Sequence, residues 1–515
     1  MIKNFKWLAL ASLVFVACNN DDAVVANANS TDGKAVTSGT ANLSKYVALG
    51  DSFAAGFSDG ALFIEGQKSG YPNILAQQFA FAGGGEFLNP LMNDNVGGFL
   101  AGGVQSARFG KRLYLAPGNV PTAVDGTSST DISAHLTGPF NNYGIPGAKC
   151  IHLAFVGYGS SIGNPYFARM ASSPAATVLS DALAQNPTFF SLWIGGNDVL
   201  GYATNGGVPT SQDAVTGDDI TPVAIFDALY KSMVTKLVAG GTKGVVANLP
   251  YVSTLPYFTT VPYNPLSVTV LGGGSAAVGG AAISALNTDL YTPLITALTF
   301  FGAPDRIKLL SATSANPLLI KDEALTNLSA QLTAAFTPTL GAATAAFYGA
   351  VFGQARQATA ADFVTLPTQS AIGAAPTALD SGIGFAPPSP LDKFGITFPL
   401  QDKHVLTATE VLEIKVATDA YNVTIAAAAS ANGLAFVDTK AIMEKLNTTG
   451  IVANGYTMKS TYVTGNSFSL DGVHPSPRGY ALIANYFLTA INTTYGSNIK
   501  GVNLGNYRIL YPKVL

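Results

Sequence analysis

Tyr46-Val47-Ala48-Leu49-Gly50-Asp51-Ser52 is the stretch on which the reading of the fold turns. An uninterrupted apolar run meets a Gly-Asp-Ser turn. Such a run reads as a strand buried on both faces, the kind that parallel sheets contain. The pattern recurs at Phe189 to Ile194, which meets Gly195-Gly196-Asn197, and at Gly244 to Ala247, which meets Asn248-Leu249-Pro250. Leu434 to Val437 repeats it and ends at Asp438. Helical patterns alternate with these runs. Thr221-Pro222 offers an N-cap and a first helical residue before Phe226, Leu229, Met233 and Leu237. Thr407 with Glu410 forms a capping box, and that helix is expected to stop at Gly433. A last helix is expected from about Pro477, carrying Tyr480, Ile483 and Ala484 inward. Alternating strands and helices imply an α/β fold, a parallel sheet with helices on both faces. Functional residues then gather at the carboxyl ends of the strands.

Four short motifs fit that expectation: Gly50-Asp51-Ser52, Asn142-Tyr143-Gly144-Ile145-Pro146-Gly147, Gly195-Gly196-Asn197-Asp198 and Asp471-Gly472-Val473-His474. Ser52 supplies a hydroxyl, which becomes a nucleophile once a base takes its proton. His474 is the candidate base, because an imidazole titrates near neutrality. Asp471, three residues earlier on a turn, can hold one ring nitrogen and leave the other for Ser52. The chain has 4 histidines, and only His474 comes with an acid in such a turn. The Ser52 N–H, the Gly147 N–H and the Asn197 side-chain amide are candidate donors to an oxyanion. Asp51 and Asp198 read as structural residues that hold the turns. Taken one at a time, these residues also read as ordinary turn and capping groups.

On these motifs the chain resembles the SGNH hydrolase superfamily, also called the GDSL esterase/lipase family. Ser52, Gly147, Asn197 and His474 match its four named residues, and Asp471 matches its acid. The resemblance covers about 45–260 and 400–495. It implies a three-layer α/β/α sandwich around a parallel sheet of about five strands, flavodoxin-like in arrangement. It further implies a serine ester hydrolase, an esterase or lipase with a Ser-His-Asp triad and a Gly/Asn oxyanion hole. The substrate would be an acyl lipid or an acetylated glycan. Neither metal nor organic cofactor is implied. Phe53-Ala54-Ala55-Gly56 departs from the family's common Leu after the serine. Alternatives are a glycan O-acetyl esterase with the same triad and a catalytically silent surface binding lipoprotein.

The N-terminus reads as an export signal over residues 1–17. Lys3 and Lys6 precede a small or apolar run from Trp7 to Ala17, too short to span a bilayer. Phe15-Val16-Ala17-Cys18 resembles a bacterial lipobox and implies a lipid anchor at Cys18. An ordinary cleaved signal with an incidental cysteine is the other reading. The expected location is an exported, membrane-anchored lipoprotein, at the outer membrane and facing the periplasm or the surface. Residues 18–43, rich in small polar residues, read as a flexible tether, and residues 44–515 as the hydrolase domain. The other cysteine, Cys150, reads as a buried small hydrophobe. Charged residues are 11% of the chain, and the formal net charge of −3 comes with no basic stripe, so nucleic acid is excluded as a partner.

Two segments exceed a minimal α/β domain, at about 82–140 and 250–400. The first is Gly-, Pro- and Asn-rich and irregular. The second has no charged residue from Gly244 to Thr288 or from Ala324 to Ala355, and carries Leu340, Phe347, Val351 and Phe352 at helical spacing. It reads either as an apolar cap over the site or as a helical subdomain with its own core.

Overall fold

The computed structural model describes residues 28–211 and 217–515. Five parallel strands form the central sheet: β1 Tyr46–Gly50, β2 Asn142–Gly144, β3 Phe189–Trp193, β4 Lys243–Ala247 and β5 Ala435–Val437. Their spatial order is β5-β4-β3-β1-β2. The register pairs Gly50 with Trp193 on one side and with Gly144 on the other. Three strand ends therefore line up beside Ser52. Every residue of β1 and β3 is buried, and the one hydroxyl of β3, Ser191, is paired with the Tyr46 hydroxyl at 2.7 Å.

The helices that matter for the site are α1 Ser52–Ala55, α2 Tyr71–Phe79, α3 Val178–Ala184, α4 Asn197–Thr204, α5 Val223–Leu237, α6 Ser329–Leu340, α7 Ala342–Phe352, α8 Ala408–Ala431, α9 Thr439–Asn447 and α10 Pro477–Tyr495. α2 and α10 cover one face of the sheet, and α3, α5 and α8 cover the other. This is an α/β sandwich. On the first face the rings of Phe79, Phe189 and Tyr495 meet edge to face. On the second, Phe226 stacks on Tyr421 with ring centres 4.1 Å apart. The Thr407–Glu410 capping box is present, with the Thr407 N–H donating to Glu410 Oε2 at 2.6 Å. Ser476 caps α10 by accepting from the Gly479 N–H. α5 starts one residue later than its sequence implies, with Pro222 just outside the helix.

The segment read as a flexible tether is not one over residues 28–43. Ser30 bridges to Ile499. The Thr31 N–H donates to the Asn498 carbonyl, the Thr37 N–H to Asn498 Oδ1 at 2.8 Å, and the Thr40 N–H to the Tyr495 carbonyl. Ala41 and Leu43 are buried in the main core. Small polar residues here satisfy backbone groups of the chain's far end rather than water. The signal segment, Cys18 and the rest of the tether lie outside the described residues.

The second insertion has a core of its own. Phe352, Leu332, Leu294, Ile320 and Phe398 belong to one buried cluster, separate from the sheet's core. α6 and α7 form its helical hairpin. Val351 and Phe352 point into that core, Phe347 is half-buried, and Leu340 is exposed. The subdomain reading therefore describes residues 324–355. Tyr257 and Leu366 of this insertion lie against Gly472, and the Tyr257 N–H donates to the Gly472 carbonyl. Among the described residues, no helix is long and apolar enough to cross a membrane.

Candidate active site

β1 ends at Gly50, and the chain turns at once into the single helical turn α1. Asp51 caps that turn, its Oδ1 accepting from the Phe53 N–H at 2.9 Å. Ser52 thus stands at a helix N-terminus, where backbone N–H groups lack helical partners. The Asn142 side chain locks this turn to the next strand. Its Nδ2 donates to the Ala54 carbonyl and its Oδ1 accepts from the Gly144 N–H, each at 2.9 Å. Gly144 must be glycine, because a Cβ there would lie 2.2 Å from the Ala55 nitrogen.

The structure brings Ser52, His474 and Asp471 into one chain of contacts. Ser52 Oγ lies 2.8 Å from His474 Nε2, and His474 Nδ1 lies 2.9 Å from Asp471 Oδ2. The tautomer that uses both contacts carries its proton on Nδ1 and accepts the Ser52 hydroxyl at Nε2. Asp471 Oδ1 accepts from the Val473 and His474 N–H groups at 2.9 and 2.8 Å. Burial by itself would raise the Asp471 pKa. The His474 charge and these donors outweigh it and hold the carboxyl down, at about 2. The imidazole is wedged between rings, with Phe57 centred 4.6 Å away and Phe53 5.4 Å away. Phe53, the residue after the serine, thus packs against the base.

The Gly147 loop after β2 and Asn197 after β3 are joined through Ala148, although their strands flank β1 on opposite sides. Gly147 has φ +79°, a conformation natural to glycine, and its N–H has no acceptor among the described residues. Asn197 Nδ2 donates one hydrogen to the Ala148 carbonyl at 3.0 Å and keeps the other free. Asn164 Nδ2 holds the preceding Pro146 carbonyl at 2.8 Å. Asp198 Oδ2 accepts from the Cys150 N–H at 2.8 Å, which ties the start of α4 to the Gly147 loop. Burial pushes Asp198 up to about 6 and Asp51 up to about 7. Both acids hold turns, as their sequence positions imply. Cys150 is fully buried, and burial pushes its thiol well up. His152 and His404 are spent on local turns, accepting from the Lys149 and Gln401 N–H groups.

One supporting element went unread in the sequence. The stretch Phe57 to Gly60 clamps the loop that carries the acid and base. The Gly60 N–H donates to Asp471 Oδ2 at 2.9 Å. Asp59 Oδ1 accepts from the Leu470 N–H at 2.8 Å, and the Asp59 N–H donates to Ser469 Oγ. Ser58 Oγ donates to the Pro475 carbonyl. Asp59 is buried, its Oδ2 has no hydrogen-bond partner, and burial pushes it up to about 7. The only local signal was an Asp-Gly pair, which marks a turn and not its partner.

Among the described residues no cluster of His, Cys, Asp and Glu is arranged to hold a metal ion. Comparison of the chain with protein-family models, curated proteins and solved structures finds no match.

Proposed function

We propose that the protein is a serine hydrolase of carboxylic esters. The observation that carries this reading is the unbroken contact chain from Asp471 through His474 to Ser52. Ser52 Oγ attacks the ester carbonyl carbon, and its proton passes to His474 Nε2. The carbonyl electron pair moves onto oxygen, where the N–H groups of Ser52 and Gly147 and the free Asn197 Nδ2 hydrogen receive it. Collapse breaks the ester C–O bond, and the imidazolium gives its proton to the leaving alcohol. Water repeats the sequence on the acyl-enzyme, releasing the acid and restoring Ser52. Asp471 stays ionised throughout and steadies the imidazolium.

A fluorophosphonate probe tests this directly. It should label the folded protein and fail on Ser52→Ala, and short p-nitrophenyl esters should be turned over. Absence of labelling on folded protein would leave the fold as a silent binding module.

The same proposal puts the protein on a membrane through a lipidated Cys18. Its support is the Lys3/Lys6 region, the apolar run and the small residue before Cys18. Metabolic labelling with a fatty-acid analogue should mark the protein, and Cys18→Ser should abolish the mark.

A further inference from the structure

The geometry points to an acyl-chain cavity in the α/β core, so that the preferred substrates are esters of medium-length fatty acids rather than acetate. This rests on the ester-hydrolase reading. Two adjoining hollows share Phe53, Trp193, Pro250 and Leu255 as walls. The first is also bounded by Asp51, Gly196 and Val473. These residues adjoin Ser52, Asn197 and His474 in sequence, and Phe53 packs against the His474 ring, so this hollow lies beside the triad. The second runs on between α9 and α10 to Met443, Leu446 and Leu482.

The walls are almost wholly apolar. Thr439 and Ser467 are the polar side chains in the second hollow, and both hydroxyls are already bonded, to Asn248 and to the Gly465 carbonyl. Neither hydroxyl has a proton left to donate to a sugar oxygen. A cavity so lined holds water poorly and takes up hydrocarbon well. The separate core of the insertion leaves residues 324–355 no part in this, so chain selection belongs to α9, α10 and the loop after β4.

Each methylene that enters should raise kcat/KM by about fourfold, from roughly 0.8 kcal/mol per buried CH₂. The experiment is kcat/KM for p-nitrophenyl esters from acetate to laurate on the full chain. Variants are Met443→Trp and Leu446→Trp, which fill the far end, and Leu446→Ala, which enlarges it. Melting temperature and fluorophosphonate labelling are measured beside them. The wild type should climb from acetate towards octanoate. The Trp variants should cut the octanoate-to-acetate ratio about tenfold or more with acetate turnover kept, and Leu446→Ala should move the optimum to longer chains. A wild-type profile that falls steadily from acetate, or profiles unmoved in variants that fold and label, overturns the cavity while leaving the hydrolase standing. Should both Trp variants fail to fold, Leu446→Ala decides by the same criterion. Failure of the wild type to label or to turn over any ester sinks the hydrolase reading itself.

Discussion

Asn197 Nδ2 donates to the Ala148 carbonyl at 3.0 Å, which fixes the side-chain donor against the residue that follows the backbone donor Gly147. The two groups are therefore placed by one hydrogen bond, although 49 residues separate the bonded pair. Preorganisation of this kind matters most when negative charge appears, because donors already in place need not reorient.

Asn197→Ala should accordingly lower kcat by about 10²–10³, the usual effect of losing one oxyanion donor, with a much smaller change in KM. Steady-state kinetics on a short ester separates the two. An unchanged kcat would return Asn197 to a purely structural role.

Ser52→Ala and His474→Ala should each abolish turnover, and the double variant should be little slower than either alone. Residues in one proton-transfer chain lose their effect together. Single and double variants measured on one ester decide this. Multiplying penalties would mean that the 2.8 Å contact is not used in the reaction.

Asp59 makes stability fall as pH rises. Its folded pKa, about 7, lies above the ordinary carboxyl value of about 3.9, so the folded state holds the proton more tightly. The favourable contribution is full below about pH 4 and is lost as pH rises towards 7. Asp59→Asn can still accept from the Leu470 N–H and never ionises. It should therefore melt several degrees above wild type at pH 8 and close to it at pH 5. A gap that does not widen with pH would refute the burial argument.

Phe352 is fully buried in the insertion's own core. Phe352→Ala should cost about 3–5 kcal/mol of stability there. Calorimetry should show the loss, and the acyl-length profile of the remaining active protein should keep its shape. A selective loss on long chains would restore a role for this segment at the site.

The strands that present Ser52, Asn197 and the Asn248 turn were legible because each is a mainly apolar run before a turn. β2 was not, since Asn142–Gly144 is too short and too polar to read as a strand, and only pairing with β1 makes it one. The same locality limited the reading of the site. The residue types of the triad and the oxyanion donors stand out in their own motifs. The Gly60 N–H on Asp471 does not, because that contact joins positions 411 apart and a backbone donor leaves no mark on residue type. The 28–43 segment misled for a related reason. Its Thr residues look solvated in sequence, yet the Thr31, Thr37 and Thr40 N–H groups donate to Asn498 and Tyr495.

The strap formed by residues 28–43 would also set how far the protein stands from a membrane if Cys18 carries a lipid. The chain is fastened from Ala28, where Lys500 Nζ donates to the Ala28 carbonyl. At about 3.3–3.6 Å per residue, the sequence distance from Cys18 to Ala28 covers no more than roughly 35 Å, against some 85–90 Å from Cys18 to position 43. A protein anchored at Cys18 would thus work within about one domain's width of the bilayer. Esters carried by that same membrane, or shed from it, would be its nearest supply.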